Sequence, residues 1–405
     1  MVCCRIQTVV DLRIERYILL ISIILLACIS MQGQEINRPV PAADRTELYL
    51  PLFSGKRIAI VANHTTLIKG KHLVDSLLAR GVNIVKIYCP EHGFRGQADA
   101  GEKVKSYKDF RTGLDVVSLY GSKKKPDAES LRGIDLVVFD LQDVGVRFYT
   151  YLSTMHYVME ACAENKTPVM VLDRPNPNGR YVDGPVLDSS LRSFVGVHPI
   201  PIVHGMTLGE LAQMINGEGW LKNRIKCTLT VIPCGNYTRK SLYMLPVKPS
   251  PNLPNMRSVY LYPSTGMFEG TCLSVGRGTP WPFQVLGHPK YPSSGFWFVP
   301  VPVIGASKDP PFKNIRCYGI DLRTIPDSAS LVRMDRINLD YLIAAYNKFP
   351  NKDSFFNSFF DLLVGNRLLQ KQIRQGMSAG DIRASWQPEL KTFIDERRKY
   401  LIYGE

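Results

Sequence analysis

No nucleotide fingerprint is present in this chain: neither G-x-G-x-x-G nor G-x-x-x-x-G-K-[ST] stands at a strand-to-helix turn. That removes the signal for a dinucleotide or a nucleoside triphosphate. There is no C-x-x-C pair and no ligand spacing suited to zinc, so neither a redox dithiol nor a structural metal is implied. A G-x-S-x-G elbow and an H-E-x-x-H helix are also missing, which leaves an esterase or amidase using His92 or His204 as base without motif support. Repeats and low-complexity tracts are absent, which excludes solenoids and fibrous arrays. The composition, 45% apolar and 21% charged, is that of a globular protein. At 405 residues it is long enough for two domains.

Charge of one sign is in excess. The formal net charge is +14, yet the only dense basic run is Lys123-Lys124-Lys125, a solvated loop before Pro126. A diffuse positive surface attracts polyanions, anionic membranes and acidic glycans alike. Without a zinc finger, helix-turn-helix or RNA-binding signature, nucleic acid is not an expected partner.

Arg13 and Arg16 precede an apolar core, Tyr17 to Ala27, that is too short for a membrane span and is followed by small and polar residues. This is the pattern of a secretory signal peptide over residues 1–33. Leu25-Leu26-Ala27-Cys28 also resembles a bacterial lipoprotein processing site, with an unusual leucine ahead of the alanine. The expectation is export, to the periplasm or medium, with membrane attachment only through the leader or a lipid on Cys28. Three of the nine cysteines fall in or beside this leader. Of the other six, Cys89 and Cys162 sit on apolar faces and read as core thiols.

After a linker (34–47), apolar runs alternate with helical patterns. Strand signals cover Lys56 to His64, Asn83 to Cys89, Asp115 to Tyr120, Leu136 to Asp140 and Pro168 to Leu172. Helical spacing covers Leu73 to Leu78 and Tyr151 to Cys162, with a short helix over Asp127 to Arg132. Such alternation argues for α/β architecture with a mainly parallel, Rossmann-like sheet over 48–235. Four strands end in polar residues: Asn63-His64, Glu91-His92, Asp140 with Asp143, and Asp173-Arg174. In a parallel sheet these ends gather on one edge, where ligands bind. Each alone suits a cap or a turn; together they point to a shared pocket.

Further on, Thr207 and Glu210 form a capping-box pattern ahead of Leu208, Leu211, Met214 and Ile215. Pro249 to Pro254 is rigid and non-helical. A glycine-rich segment, Tyr262 to Thr279, holds Glu269 and Arg277. Residues 236–405 read as a smaller α+β domain. It has strands over Phe296 to Ile304 and Ile315 to Leu322 and helices over Tyr341 to Ala345, Phe355 to Leu363 and Leu368 to Ile373. Ser378 and Pro388 mark two further helix starts.

Seven stretches carry a resemblance to a family. They are Cys89 to Gly96 (CPEHGFRG), Phe139 to Tyr151 (FDLQDVGVRFYTY), Leu172 to Gly179 (LDRPNPNG), Ser193 to Glu210, Ser250 to Asn255 (SPNLPN), Tyr262 to Thr279 and Ile382 to Leu390. Together they resemble the NamZ-type exo-β-N-acetylmuramidases, from about Gly55 to the C-terminus. The resemblance implies a Rossmann-like domain, a smaller C-terminal domain and a cleft between them. It implies removal of N-acetylmuramic acid from the non-reducing end of peptidoglycan fragments, MurNAc-GlcNAc saccharides being the partners, with no metal or other cofactor.

A glycosidase needs a carboxyl to assist the leaving oxygen and a second group as nucleophile or base. Glu91 is the first candidate, as acid/base, and Glu269 the second, with a structural hydrogen-bonding role as its alternative. Arg95, Arg174 and Arg277 are candidates to meet the lactyl carboxylate of muramic acid. His92, Asp140, Asp143, Tyr151, Asp173, Asn176 and His204 complete the candidate binding set. An exported sugar-binding protein without catalysis is the competing reading.

Overall fold

Three runs, Ile58–Val61, Leu136–Phe139 and Val169–Leu172, bury every side chain, as strands covered on both faces must. The computed structural model describes residues 38–96, 106–293, 295–324, 331 and 334–404. The leader, Cys28 and the start of the linker lie outside them.

The strands of the main sheet are β1 (Ile58–Val61), β2 (Ile84–Cys89), β3 (Tyr107–Lys108), β4 (Asp115–Ser118), β5 (Leu136–Phe139), β6 (Val169–Leu172) and β7 (Leu229–Ile232). They lie in the order β7-β6-β5-β1-β2-β4-β3. All pairs are parallel except β3 with β4. From β1 the chain steps outward to β2 and β4, then returns to β5 on the other side. This is the doubly wound arrangement, with its switch point between β1 and β5.

Alternation along the strands divides the core in two. Ile58, Ile60, Leu136, Val138, Met170 and Leu172 pack with α1 (Leu73–Leu78) and with Ala42, Ala43, Tyr49 and Phe53. Ala59, Val61, Val137, Phe139, Val169 and Val171 face α2 (Tyr151–Glu164) and α3 (Leu208–Gly217). The Thr207–Glu210 capping box opens α3. That second core continues into Phe268, Phe355 and Phe393 of the C-terminal half.

The C-terminal half holds a helix, α4 (Met256–Thr265), and an antiparallel sheet of β8 (Val285–His288), β10 (Cys317–Asp321) and β9 (Trp297–Phe298), with β10 central. Asp340–Lys348, Phe360–Val364, Leu369–Arg374, Ala379–Ser385 and Gln387–Arg397 are helical. Ser378 caps Ala379–Ser385 by accepting from the Asp381 amide, and Pro388 sits in the first turn of the last helix.

Three local expectations change. The strand read over Phe296 to Ile304 is only two residues long, because Pro300 and Pro302 have no amide to donate. The helix read from Phe355 starts at Phe360; the Phe355 carbonyl instead accepts from the Cys272 amide at 2.8 Å. Helix α4 was not expected, since Pro263 lies inside it.

Candidate active site

Register brings the strand ends level. Val61 pairs with Tyr88 and with Phe139, Phe139 with Val171, and Cys89 with Ser118. Asn63, Glu91, Tyr120, Asp140 and Asp173 therefore follow on one edge of the sheet.

Several of these residues are held by partners within the protein. At the switch point the Arg174 guanidinium donates to both oxygens of Asp140, at 2.5 and 2.8 Å, and to the Leu67 carbonyl at 2.9 Å. Asp140 is fully buried and Arg174 nearly so. Asp173 accepts from Thr207 Oγ1 and Tyr403 OH, both at 2.6 Å, and from the Gly209 amide at 2.8 Å. Burial raises its pKa to about 6 against those donors. Asn176 donates to the Met206 carbonyl and accepts from the Asn178 amide. His204 Nδ1 accepts from the Met206 amide. Burial first, then the Arg397 and Arg147 charges, lower its pKa to about 3, so the ring is neutral. Arg95 is turned to Asp75 and Asp109, at 3.0–3.3 Å. It lines a different cavity from Glu91, together with Lys71, Arg80 and Arg111.

Beside this frame is a pocket of another character. A recess of about 60 Å³ is lined by Glu91, His92, Thr150, Tyr151, Ser250, Asn252 and Arg277, with Phe148, Tyr149, Leu253, Tyr262 and Phe283 as its apolar walls. A groove of about 380 Å³ is lined by several of the same residues. It shares Glu91, Phe148, Thr150, Tyr262 and Arg277 with the recess, and adds Tyr120, Val195, Glu269, Ser307 and Asp309.

Glu91 follows β2 through Pro90, which ends the strand. Thr150 Oγ1 donates to its Oε2 at 3.3 Å, and the Tyr120 phenol shares a hydrogen bond with the same carboxylate. His92 sits at φ +70, a left-handed conformation, in the turn that follows β2. Its Nε2 lies 3.2 Å from Ser250 Oγ.

Glu269 and Arg277 come from the glycine-rich segment. Arg277 Nε and Nη2 both contact Glu269 Oε1, at 2.8 and 2.7 Å. Burial alone would lower the guanidinium's pKa; the charges of Glu269 and Glu91 raise it instead. Arg277 Nη1 is buried and has no hydrogen-bond partner.

Tyr151 stands at the start of α2. Its hydroxyl accepts from Asn63 Nδ2 at 2.7 Å, and Tyr149 OH donates to the Pro249 carbonyl at 2.7 Å. Asp143 lies behind these rings. Its Oδ1 accepts from the Gly145 amide at 2.6 Å, while Oδ2 is buried with no partner. Burial pushes its pKa up to about 7. Gly145 is fixed by its φ of +78 and by Asn176, whose Oδ1 would lie 2.1 Å from an added Cβ.

The structure thus brings Glu91 and Arg277 to both the recess and the groove, with His92 and Tyr151 in the recess and Glu269 in the groove, and sets Asp143 close behind. It places Arg95, Asp140, Asp173, Arg174, Asn176 and His204 elsewhere, each with protein partners. Sequence reasoning missed Tyr120, Thr150, Ser250 and Asn252. The last three lie inside stretches already singled out. Tyr120 was hidden by being read as the last residue of a strand that stops at Ser118.

Residues 58–257 match the family model described as exo-beta-N-acetylmuramidase NamZ, N-terminal, and residues 260–403 match its C-terminal counterpart. The chain belongs to the NamZ family. It is 40% identical over 377 residues to peptidoglycan beta-N-acetylmuramidase NamZ of Bacillus subtilis (strain 168), covering 88% of this chain and 89% of that one. Two crystal structures of DUF1343 family proteins from Bacteroides fragilis NCTC 9343 share the NamZ fold seen here. One is 47% identical with a TM-score of 0.84, the other 30% identical with a TM-score of 0.77; each match covers 91% of this chain and 99% of the other. Among the described residues of this NamZ chain, no group of three or more His, Cys, Asp or Glu is placed to hold a metal ion.

Proposed function

We propose that this chain is an exo-acting glycosidase that removes N-acetylmuramic acid from the non-reducing end of peptidoglycan fragments. The observation that carries the reading is that two carboxylates, Glu91 and Glu269, line one groove with the Arg277 guanidinium. Hydrolysis of a glycoside calls for two such groups. The groove's volume falls in the range of small-ligand clefts.

In this reading Glu91 is the acid/base, held by hydroxyl donors, and Glu269 is the second carboxylate, fixed by its ion pair. Arg277 keeps a buried donor, Nη1, to offer the lactyl carboxylate, and a charge-assisted bond of that kind is among the stronger ones. Tyr262 and Phe148 give ring faces for the sugar. His92 and Tyr151 supply polar contacts in the recess. MurNAc-GlcNAc saccharides are the proposed substrates, and export through the N-terminal leader would bring the enzyme to them.

The test is turnover by the purified mature chain. A muramyl-capped chromogenic glycoside should be hydrolysed, its N-acetylglucosaminyl counterpart should not, and Glu91→Gln should remove activity while leaving the thermal melt in place. Saturable binding of MurNAc-GlcNAc with no product over long incubation would make the chain a binding protein instead.

A further inference from the structure

Glu91 is surrounded by a set of groups that its own loop does not supply. Arg277, Tyr262 and Tyr151 all interact electrostatically with it, and Glu269 reaches it through Arg277. His92 is its chain neighbour, and the Thr150 hydroxyl donates to Oε2. A further group among the described residues is Tyr120, two residues beyond the adjacent strand β4. Cys89 and Ser118 are register partners, and the Leu119 amide donates to the Cys89 carbonyl at 2.8 Å. Glu91 and Tyr120 each stand two residues past that pair, which sets them side by side at the sheet edge.

The ring of Tyr120 is supported from behind. Phe194 packs against its edge with centroids 6.0 Å apart, and Tyr157 from α2 stacks on Phe194 at 6.2 Å with planes 12° apart. Lys124 lies 4.8 Å from the Phe194 centroid on another side. A phenol braced in this way stands at the Glu91 carboxylate, with which it interacts, and both line the groove.

We propose that Tyr120 is a positioning residue for the glycosidase reaction, its phenol orienting the Glu91 carboxyl. The proposal rests on Glu91 being the acid/base of a muramidase. A hydrogen bond donated to a carboxylate is directional, so losing it frees the Glu91 carboxyl to turn.

The test is the split between kcat and KM for a muramyl-capped substrate. A wild-type chain that leaves the substrate intact refutes the function itself, before any variant is made. Given wild-type turnover, Tyr120→Phe keeps the ring and its packing on Phe194. It should cut kcat by about tenfold or more with KM nearly unchanged. Biosynthetic 3-fluorotyrosine in place of Tyr120 keeps both the ring and the donor, and should keep kcat near the wild-type value. A wild-type kcat with KM raised in Tyr120→Phe would make Tyr120 a sugar contact and overturn the proposal.

Discussion

Asn178 Nδ2 donates to the Val259 carbonyl at 3.1 Å, and Val259 is the residue whose helical partner, Pro263, has no amide hydrogen. The second asparagine of the Leu172 to Gly179 stretch thus repairs a break in helix α4, while also bonding the Val144 carbonyl at 2.9 Å. It joins the sheet edge to the start of the C-terminal half, next to where Tyr262 enters the pocket.

Asn178→Ala should therefore destabilise the protein by about 1–3 kcal/mol, since it strands two buried carbonyls. Pro263→Ala restores an amide to the helix, and in that background the loss from Asn178→Ala should be smaller. A double-mutant cycle by urea unfolding measures the difference. Equal losses in both backgrounds would mean that Val259 does not need the asparagine.

Arg174 and Asp140 illustrate a second structural use of a strand end. Arg174→Met leaves Asp140 fully buried and unpaired, and an uncompensated buried charge of this kind costs about 3–5 kcal/mol. The unfolding midpoint should fall accordingly, while the KM of the folded fraction stays at the wild-type value. A raised KM with an unchanged midpoint would instead put the guanidinium on the substrate.

The sheet was legible in the sequence because its strands are unbroken apolar runs, and a parallel sheet fixes where their ends go. The destination of each polar end was not. Asp140 and Asp173 look like Glu91 in sequence, but their partners, Arg174, Thr207 and Tyr403, lie 34 to 230 residues away. Only packing reveals which carboxylates are satisfied internally. Tyr120 shows the converse: a residue at a strand end reads as part of an apolar run until register sets it beside Glu91. The glycine-rich segment was read correctly as holding a carboxylate and a guanidinium, yet nothing in its sequence says that Arg277 grips Glu269.

Asp143 makes stability depend on pH in a direction opposite to that of a salt-bridged acid. Burial raises its folded pKa from the ordinary 3.8 to about 7. Between those values the folded state holds a proton that the unfolded chain has released. Its contribution is therefore fully present below pH 4 and is lost as pH rises through 7. Asp143→Asn keeps the acceptor for the Gly145 amide and cannot ionise. It should be more stable than wild type at pH 8, by about 4 kcal/mol, with the gap closing below pH 4. Urea midpoints at the two pH values decide it; a constant difference would show that Asp143 titrates normally.

Glu269 and Arg277 form an ion pair in the groove, at 20–24% side-chain exposure, so removing either partner changes the other's work. If Arg277 serves both to hold Glu269 and to meet an anionic substrate group through Nη1, Arg277→Met should raise KM for a muramyl substrate and also lower kcat by misplacing Glu269. Glu269→Gln keeps the hydrogen bond from Arg277 but removes the charge, so it should lower kcat with a smaller change in KM. The double variant should be little worse in kcat than the worse single one, because groups acting as a unit are not additive. Additive losses in kcat would show that the two residues serve the reaction independently, and that the 2.7 Å contact between them is structural only.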